Sequence, residues 1–502
     1  MTIAATRAGA RAWLGLSVLA LATLLLAVDN TVLVLALPHL AADLGPSATE
    51  LLWITDVYGF MIAGFMITMG WLGDRIGRRK LLLIGAVVFG AVSVLAAYST
   101  TTTMLIAARV LLGIAGAAMG PSALALVTGL FTDARQRAMA IGVFTACFMG
   151  GAAAGPVIAG LLLESFWWGS VFLMGVPIMV LVVAAGLILL PETAAEGSGR
   201  LDLASVVLSL ATILPVVSGL KELADDPAQG TAYAMLAAGL VSGVVFVRRQ
   251  RRLAEPLVET GLFANRSFRA ALLILALAMV IQGGVYLFVS QHLQLVEGLS
   301  PMAAGLWMAV PALGLVGGSL AAPAIAGAFR PGTVVGVGLV VAAAGFAVVV
   351  ADGGLPTLVA GVTVAFLGMA PVGALGLDLI VGSAPRERAG SASALAESGG
   401  ELGIALGVAL LGSVGTAVYG SRVTLPQAGS SLNEALDAAA GLPPEAAAAL
   451  VAEARAAFAQ GLLVVAAISA VLALGLAVIS LTLLRHLRPI GQDGRHQPRS
   501  RT

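Results

Sequence analysis

Gly70-Trp71-Leu72-Gly73-Asp74-Arg75-Ile76-Gly77-Arg78-Arg79-Lys80 closes one apolar run and opens the next. Its glycines permit a tight turn between two packed helix ends. Asp74 is placed to cap or charge-pair with a neighbouring helix terminus. Arg75, Arg78, Arg79 and Lys80 favour the cytoplasmic face of a bilayer. The stretch therefore reads as a short cytoplasmic turn between two membrane helices, at the least a positive-inside anchor.

The rest of the chain agrees with that reading. Its 502 residues are 59% hydrophobic and only 11% charged, with mean hydropathy +1.01. A soluble domain is about 25% charged, so the fold class is all-α integral membrane. Apolar runs bounded by charges or turn residues predict fourteen transmembrane helices, each needing about 20 residues. They fall near 13–37, 51–72, 81–99, 103–130, 138–162, 170–190, 203–220 and 231–247, then 270–290, 301–325, 332–351, 355–382, 391–418 and 460–484. The first run is too long for a signal-peptide core and is expected to stay as a helix. With the N-terminus inside, 23 of the 27 Lys and Arg residues lie on the cytoplasmic side. The others are Lys221, Arg422 and Arg455 in external loops and Arg109 within a span. Both termini are thus expected in the cytoplasm and the protein in the cell membrane.

A weak internal repeat suggests a 6+2+6 layout. Arg135-Gln136-Arg137-Ala138 recurs as Arg386-Glu387-Arg388-Ala389, and Met119-Gly120-Pro121 as Met369-Ala370-Pro371. This predicts an N-terminal six-helix bundle over 1–202, an inserted helix pair with cytoplasmic linker over 203–268, and a C-terminal six-helix bundle over 269–502. Repeat-built transporters place their sites between the halves. The long external loop 420–459 reads as two helical stretches split at Gly441-Leu442-Pro443-Pro444, either a solvent-exposed hairpin or a lid on the external mouth.

Charges inside the spans point to the chemistry. Asp29 sits in Leu25-Leu26-Ala27-Val28-Asp29-Asn30-Thr31-Val32, where a carboxylate costs roughly 2.5–3.5 kcal/mol and is expected to face a cavity. At 1.5 Å per residue, Asp29, Arg109 and Asp56 lie roughly 12, 9 and 7 Å from the external ends of their spans. Asp29 or Asp56 is the natural counter-ion for Arg109, in a switching contact or a static structural pair. Glu397 and Glu401 share one helix face and repel, so a proton or a cationic guest relieves them; Glu397 also lies within reach of the cytoplasmic interface. Asn30 and Gln282 are candidates to line the cavity, and Trp53, Tyr58, Tyr286 and Trp307 to face a flat cation. Asp378 is expected to snorkel, and Trp167 and Trp168 to anchor at the external interface. Gly155-Pro156 favours a bend, and Gly151 with Gly155 gives a smooth strip for a neighbouring helix, which packing alone also explains.

Together these motifs carry a resemblance. Gly73, Asp74, Arg75, Gly77, Arg78 and Arg79 resemble the cytoplasmic loop signature of the major facilitator superfamily. Asp29-Asn30-Thr31-Val32 with Ala36-Leu37-Pro38 resembles the first-helix motif of its fourteen-helix drug:proton antiporters. Arg109 through Gly113 with Gly116 looks like their fourth-helix arginine motif, and Gly151, Gly155, Pro156 and Gly160 like their fifth-helix antiporter motif. Trp53-Ile54-Thr55-Asp56-Val57-Tyr58 and Glu397 through Glu401-Leu402-Gly403 narrow the likeness to multidrug efflux pumps of the QacA, LfrA and SmvA kind. Ser398-Gly399-Gly400 is less bulky than that pattern. The resemblance implies export of small lipophilic cations (quaternary ammonium compounds, dyes, fluoroquinolones) in exchange for protons, by a functional monomer without a cofactor. A narrow-substrate exporter of an antibiotic, lipid or siderophore, and a non-transporting receptor, are the alternatives. Nothing reads as an enzyme or an ATP-driven pump: no phosphate-binding Gly-x-x-x-x-Gly-Lys-Ser/Thr loop, Cys/His cluster or nucleophile motif appears. Cys147 cannot form an intrachain disulfide and His292 alone in an external loop is no metal site; the net charge of +1 says nothing about partners, and no nucleic-acid partner is expected.

Overall fold

In lipid, a backbone satisfies its polar groups most simply by bonding along itself as a helix. The computed structural model describes residues 8–46, 48–192, 202–225, 230–253, 256–258, 260–351, 353–385, 388–425, 429 and 431–485, with no strand among them. The first bundle holds α1 (Ala10–Leu44), α2 (Ala48–Ile76), α3 (Arg78–Ala97), α4 (Thr102–Leu130), α5 (Ala134–Ser165), α6 (Ser170–Leu173) and α7 (Gly175–Leu189). Then come α8 (Leu203–Asp225) and α9 (Gly230–Gln250). The last group is α10 (Arg266–Gln291), α11 (Pro301–Ala328), α12 (Pro331–Val350), α13 (Leu355–Gly382), α14 (Ala389–Arg422), α15 (Leu432–Ala439) and α16 (Pro444–Leu483).

Among the described residues, thirteen helical spans are long and apolar enough to cross a membrane, with α6 and α7 running together as Ser170–Leu189. The two arms of α5, Arg135–Ala152 and Val157–Ser165, meet at 44°; counted as one broken span they bring the number to fourteen. Gly155-Pro156 lies in that break, where proline removes a backbone donor. One large core gathers side chains of α1 to α7 and another those of α10 to α16. The two groups meet through α5 against α11 and α13, and through α2 and α4 against α14.

Gly77 has φ 97°, a conformation open to glycine, which lets α3 turn back directly from α2. Asp74 Oδ1 accepts from Arg78 Nη2 at 2.8 Å, while Oδ2 accepts from Ser391 Oγ, in the first turn of α14, at 3.1 Å. At the same end, Arg137 Nε donates to Asp378 Oδ1 at 2.7 Å and Arg135 Nη2 to Gly327 O at 3.2 Å. The end carrying the basic turns, called the basic end below, is thus bolted shut across the two groups.

Some expectations are corrected. Asp378 does not snorkel; it is buried and ion-paired, because Arg137 reaches it from the facing group. Trp168 is no interface anchor: it is buried, with Nε1 donating to Asp43 Oδ2 at 2.7 Å, whereas Trp167 is exposed. His292 does not sit in a loop but continues α10 for one wider turn, His292–Val296. The stretch 444–459 is not a separate helix, because its alanine-rich backbone runs unbroken into the last span as the 40-residue α16. Nor is it a solvated hairpin, since Leu432, Ala435, Leu450 and Ala454 join the second core and Arg455 Nε donates to Leu295 O at 3.0 Å. Arg386 and Glu387 of the repeated motif lie outside the described residues.

Candidate functional site: a buried ion pair beside a central cavity

The site starts with a glycine on α4. A Cβ on Gly113 would lie 2.6 Å from Tyr58 O, so only a residue without one lets α4 press against α2 here. Arg109, one turn earlier on α4, is thereby brought under the Tyr58 ring, its guanidinium carbon 4.4 Å from the ring centre. Arg109 Nη1 donates to Asp29 Oδ2 at 3.1 Å, and Nε donates to Ile54 O at 3.1 Å. Arg109 is 1% exposed, Asp29 3% and Tyr58 0%. A guanidinium at this depth needs compensation on several sides, and a carboxylate, a carbonyl and a π face provide it.

Beyond Tyr58 lies a cavity of about 1120 Å³, its open mouth included, lined by both helix groups. Asn30, Tyr58, Gln282, Glu397 and Glu401 are among its lining residues. Glu397 Oε2 is buried without a hydrogen-bond partner among the described residues. It presses on α4 at Gly120, where a Cβ would stand 2.9 Å from it. This explains where the internal repeat departs from itself. The first copy has Gly120 because a carboxylate packs there, while the second has Ala370. Glu401 lines the same cavity as Tyr58. Tyr58 is therefore the partition: Arg109 lies against its ring, and Tyr58 lines the cavity that also holds Glu397 and Glu401.

Asp29 is thus not exposed to the cavity, as the sequence suggested, but sits behind Tyr58; its neighbour Asn30 does the lining. Asp56 belongs to α2, but its side chain lies outside the described residues. Trp53, Tyr286 and Trp307 are not part of the lining and are 48%, 50% and 37% exposed. Trp53 is five residues before Tyr58, which turns it roughly 140° away around the helix; it packs edge-on against Phe60. Tyr286 stands one turn beyond Gln282 on α10.

Sequence reasoning missed the cavity's apolar wall, formed by Phe144 and Phe148 on α5 with Met66, Met149 and Met279. The i,i+4 spacing of the two phenylalanines was the one available signal, and in an apolar helix it does not stand out. On the same α5, a Cβ on Gly151 would come within 2.5 Å of Leu24 O, and one on Gly155 would overlap Thr31 Oγ1. The glycine strip thus holds α1, and with it Asp29, against α5, while Gly160 lies in the second arm beyond the bend.

Residues 19–408 match the sequence pattern of the Major Facilitator Superfamily. The chain belongs to that superfamily. Within the superfamily, it is 42% identical over 490 residues to the multidrug efflux pump LfrA of Mycolicibacterium smegmatis, covering 95% of this chain and 97% of that protein. The methyl viologen resistance protein SmvA of Salmonella typhimurium is 36% identical over 466 residues, covering 89% and 93%. The tetracenomycin C resistance and export protein of Streptomyces glaucescens is 33% identical over 412 residues, covering 80% and 76%. Among solved structures, the human organic anion transporter MFSD10 superposes with a TM-score of 0.62 over 94% of this chain and 99% of that one; at 16% identity the likeness is one of fold. This superfamily member is accordingly a multi-pass membrane transporter of the drug-efflux kind and not an enzyme.

Proposed function

We propose that the protein is a proton-coupled antiporter that exports small lipophilic cations from the cell by alternating access. The observation that carries this reading is the division of acidic groups by Tyr58. Asp29 is buried with Arg109 on one side, and Glu397 and Glu401 line the cavity on the other. In this reading a cation enters the cavity, lies against Phe144 and Phe148, and compensates the carboxylates of α14. A proton reaching Asp29 neutralises it and frees Arg109, whose guanidinium then leans more heavily on the Tyr58 ring and the Ile54 carbonyl. Because Tyr58 lies against Arg109 and lines the cavity of the carboxylates, a change at one is felt at the other. The basic end faces the cytoplasm, so both termini are cytoplasmic, and the bolted state is the one open outward. Each proton moving inward releases about 2.3 kcal/mol per 100 mV, which drives export. One chain contains all these groups, so a monomer suffices.

The relatives named for multidrug efflux and for methyl viologen resistance support a broad cationic range. A narrower reading, export of one antibiotic, draws on the relative named for tetracenomycin C export. Ethidium efflux from energised vesicles tests the proposal: a protonophore should abolish it. Efflux that persists without a proton gradient would remove the antiport reading. Export of a single neutral compound, with no ethidium transport, would favour the narrower one.

A further inference from the structure

The inserted helices α8 and α9 have no part in either acidic centre, yet they are held with unusual thoroughness. Arg249 at the end of α9 donates from Nε and Nη2 to the two oxygens of Asp202 at the start of α8, at 2.8 and 2.9 Å. Next to it, buried Gln250 donates to Ser205 Oγ at 2.8 Å and accepts from Leu257 N at 2.7 Å, tying the linker to the base of the pair.

The pair leans on the seam between the two helix groups, where α2 meets α14, and α8 touches both of those helices. Its contact with them differs in kind, since α8 runs close to α14 over more of its backbone but interlocks side chains with α2. On α2, Gly64 makes a notch filled by Leu210 and Leu214; a Cβ there would lie 2.8 Å from Leu210 Cδ2 and 3.2 Å from Leu214 Cδ2. Ile67 and Trp71 of α2 then form a buried cluster with Val206, Phe246, Leu257 and Val258. From α14, Leu395 alone packs against that cluster. The outer face of the pair is apolar and exposed, with Val207, Leu240 and Val244 more than half uncovered, as suits contact with acyl chains.

The cavity lies just across the same seam. Met66 on α2 and Glu397 on α14 line it, and these helices form a single layer between it and the pair. Under the alternating access proposed above, on which this inference rests, the bond between Asp74 and Ser391 breaks and α2 parts from α14 at the basic end. A carboxylate thus uncovered to hydrocarbon is strongly disfavoured.

We infer that α8 and α9 are a membrane-side shutter, carried by α2 and sliding over α14, that keeps acyl chains and protons away from the cavity carboxylates while the seam is open. The interlocked notch supplies the attachment, and the contact with α14, which adds only Leu395 to the buried cluster, supplies the sliding surface.

Crosslinking with a short bis-maleimide in a Cys147→Ser background tests this. Bridging α2 to α8 through Ile67→Cys and Val206→Cys should leave ethidium export within about twofold, while bridging α8 to α14 through Leu208→Cys and Leu395→Cys should lower it about tenfold. Export lost on the first bridge, or kept on the second, overturns the shutter. If the unreacted chains export nothing, the antiport reading fails by itself, and the shutter is then judged in liposomes. Gly64→Leu, or Leu210→Ala with Leu214→Ala where the former does not fold, should raise passive proton leak about tenfold over the unsubstituted chain. An unchanged leak in a folded variant overturns it.

Discussion

At the scale of single residues, the protein depends on which charges have partners. Removing Arg109 leaves Asp29 able to take up a proton and become neutral, whereas removing the charge of Asp29 strands a guanidinium that cannot be neutralised, held only by the Ile54 carbonyl and the Tyr58 ring. Breaking a buried pair from the side that strands a charge costs about 3–5 kcal/mol. Asp29→Asn should therefore lower the thermal midpoint in detergent markedly, while Arg109→Ala lowers it through the lost packing of its side chain, with both losing proton-driven export. Full proton-coupled export by Arg109→Ala would reduce the pair to a static strut. Across Tyr58 the expectation differs: Glu401→Gln should abolish export of dications before monocations, in transport assays with one of each. Equal activity on both would remove Glu401 from cation binding. Asp29 and Arg109 were legible in the sequence because a lone charge in an apolar run is conspicuous. Phe144 and Phe148 were not, because apolar residues in a membrane helix look alike whether they face lipid, core or cavity.

At the scale of elements, glycine decides which helices touch. Gly151 admits the Leu24 backbone, but nothing lies within 4 Å of a Cβ built on its neighbour Gly150. Gly151→Leu should thus force α1 from α5 and cut export about tenfold or more, while Gly150→Ala should stay within about twofold; similar losses for both would refute this packing account. The clasp of α8 and α9 also has a definite pH dependence. Hydrogen bonds from Arg249, then Ser205, hold the Asp202 carboxylate at about 2. A depressed carboxylate stabilises fully above its unfolded value of about 3.9, and loses that contribution only as pH falls through the folded value. The clasp should thus hold unchanged from neutral pH to about 4, as read by hydrogen exchange of the Leu257 amide in the unsubstituted chain. Early loss of Leu257 protection in that range would contradict it. Hydropathy marked the spans well, since apolar runs and helices coincide within the bilayer. It failed for α16, because a helix continues wherever its backbone bonds do, and residues 444–459 keep bonding after their side chains turn polar.

At the scale of the whole molecule, the basic end is a latch distributed over three helix pairs, and only part of it was visible in advance. The loop around Asp74 announced itself, but its partner Ser391 lies 317 positions away, and Arg137 reaches Asp378 over 241. No local pattern encodes such distant partners; the weak repeat came nearest by placing equivalent basic turns in both halves. The latch leads to an energetic prediction. The Arg137–Asp378 bond joins a side chain 27% exposed to one 8% exposed, so solvent weakens it only in part. A hydrogen bond to a charged group contributes about 1.5–3 kcal/mol, and each 1.4 kcal/mol is a tenfold change in a two-state ratio. Allowing for screening, Asp378→Asn should raise the fraction of molecules open at the basic end about tenfold. Val381→Cys in a Cys147→Ser background reports it, because Val381 of α13 is 4% exposed, packs into the core of the first group in the closed state, and reacts with maleimide when that end parts. Faster labelling is expected in Asp378→Asn, and the exchanged pair Arg137→Asp with Asp378→Arg should slow it again. Unchanged labelling with full export would mean that the closed state is held elsewhere, by the Asp74–Ser391 contact and the packing of α5 against α11.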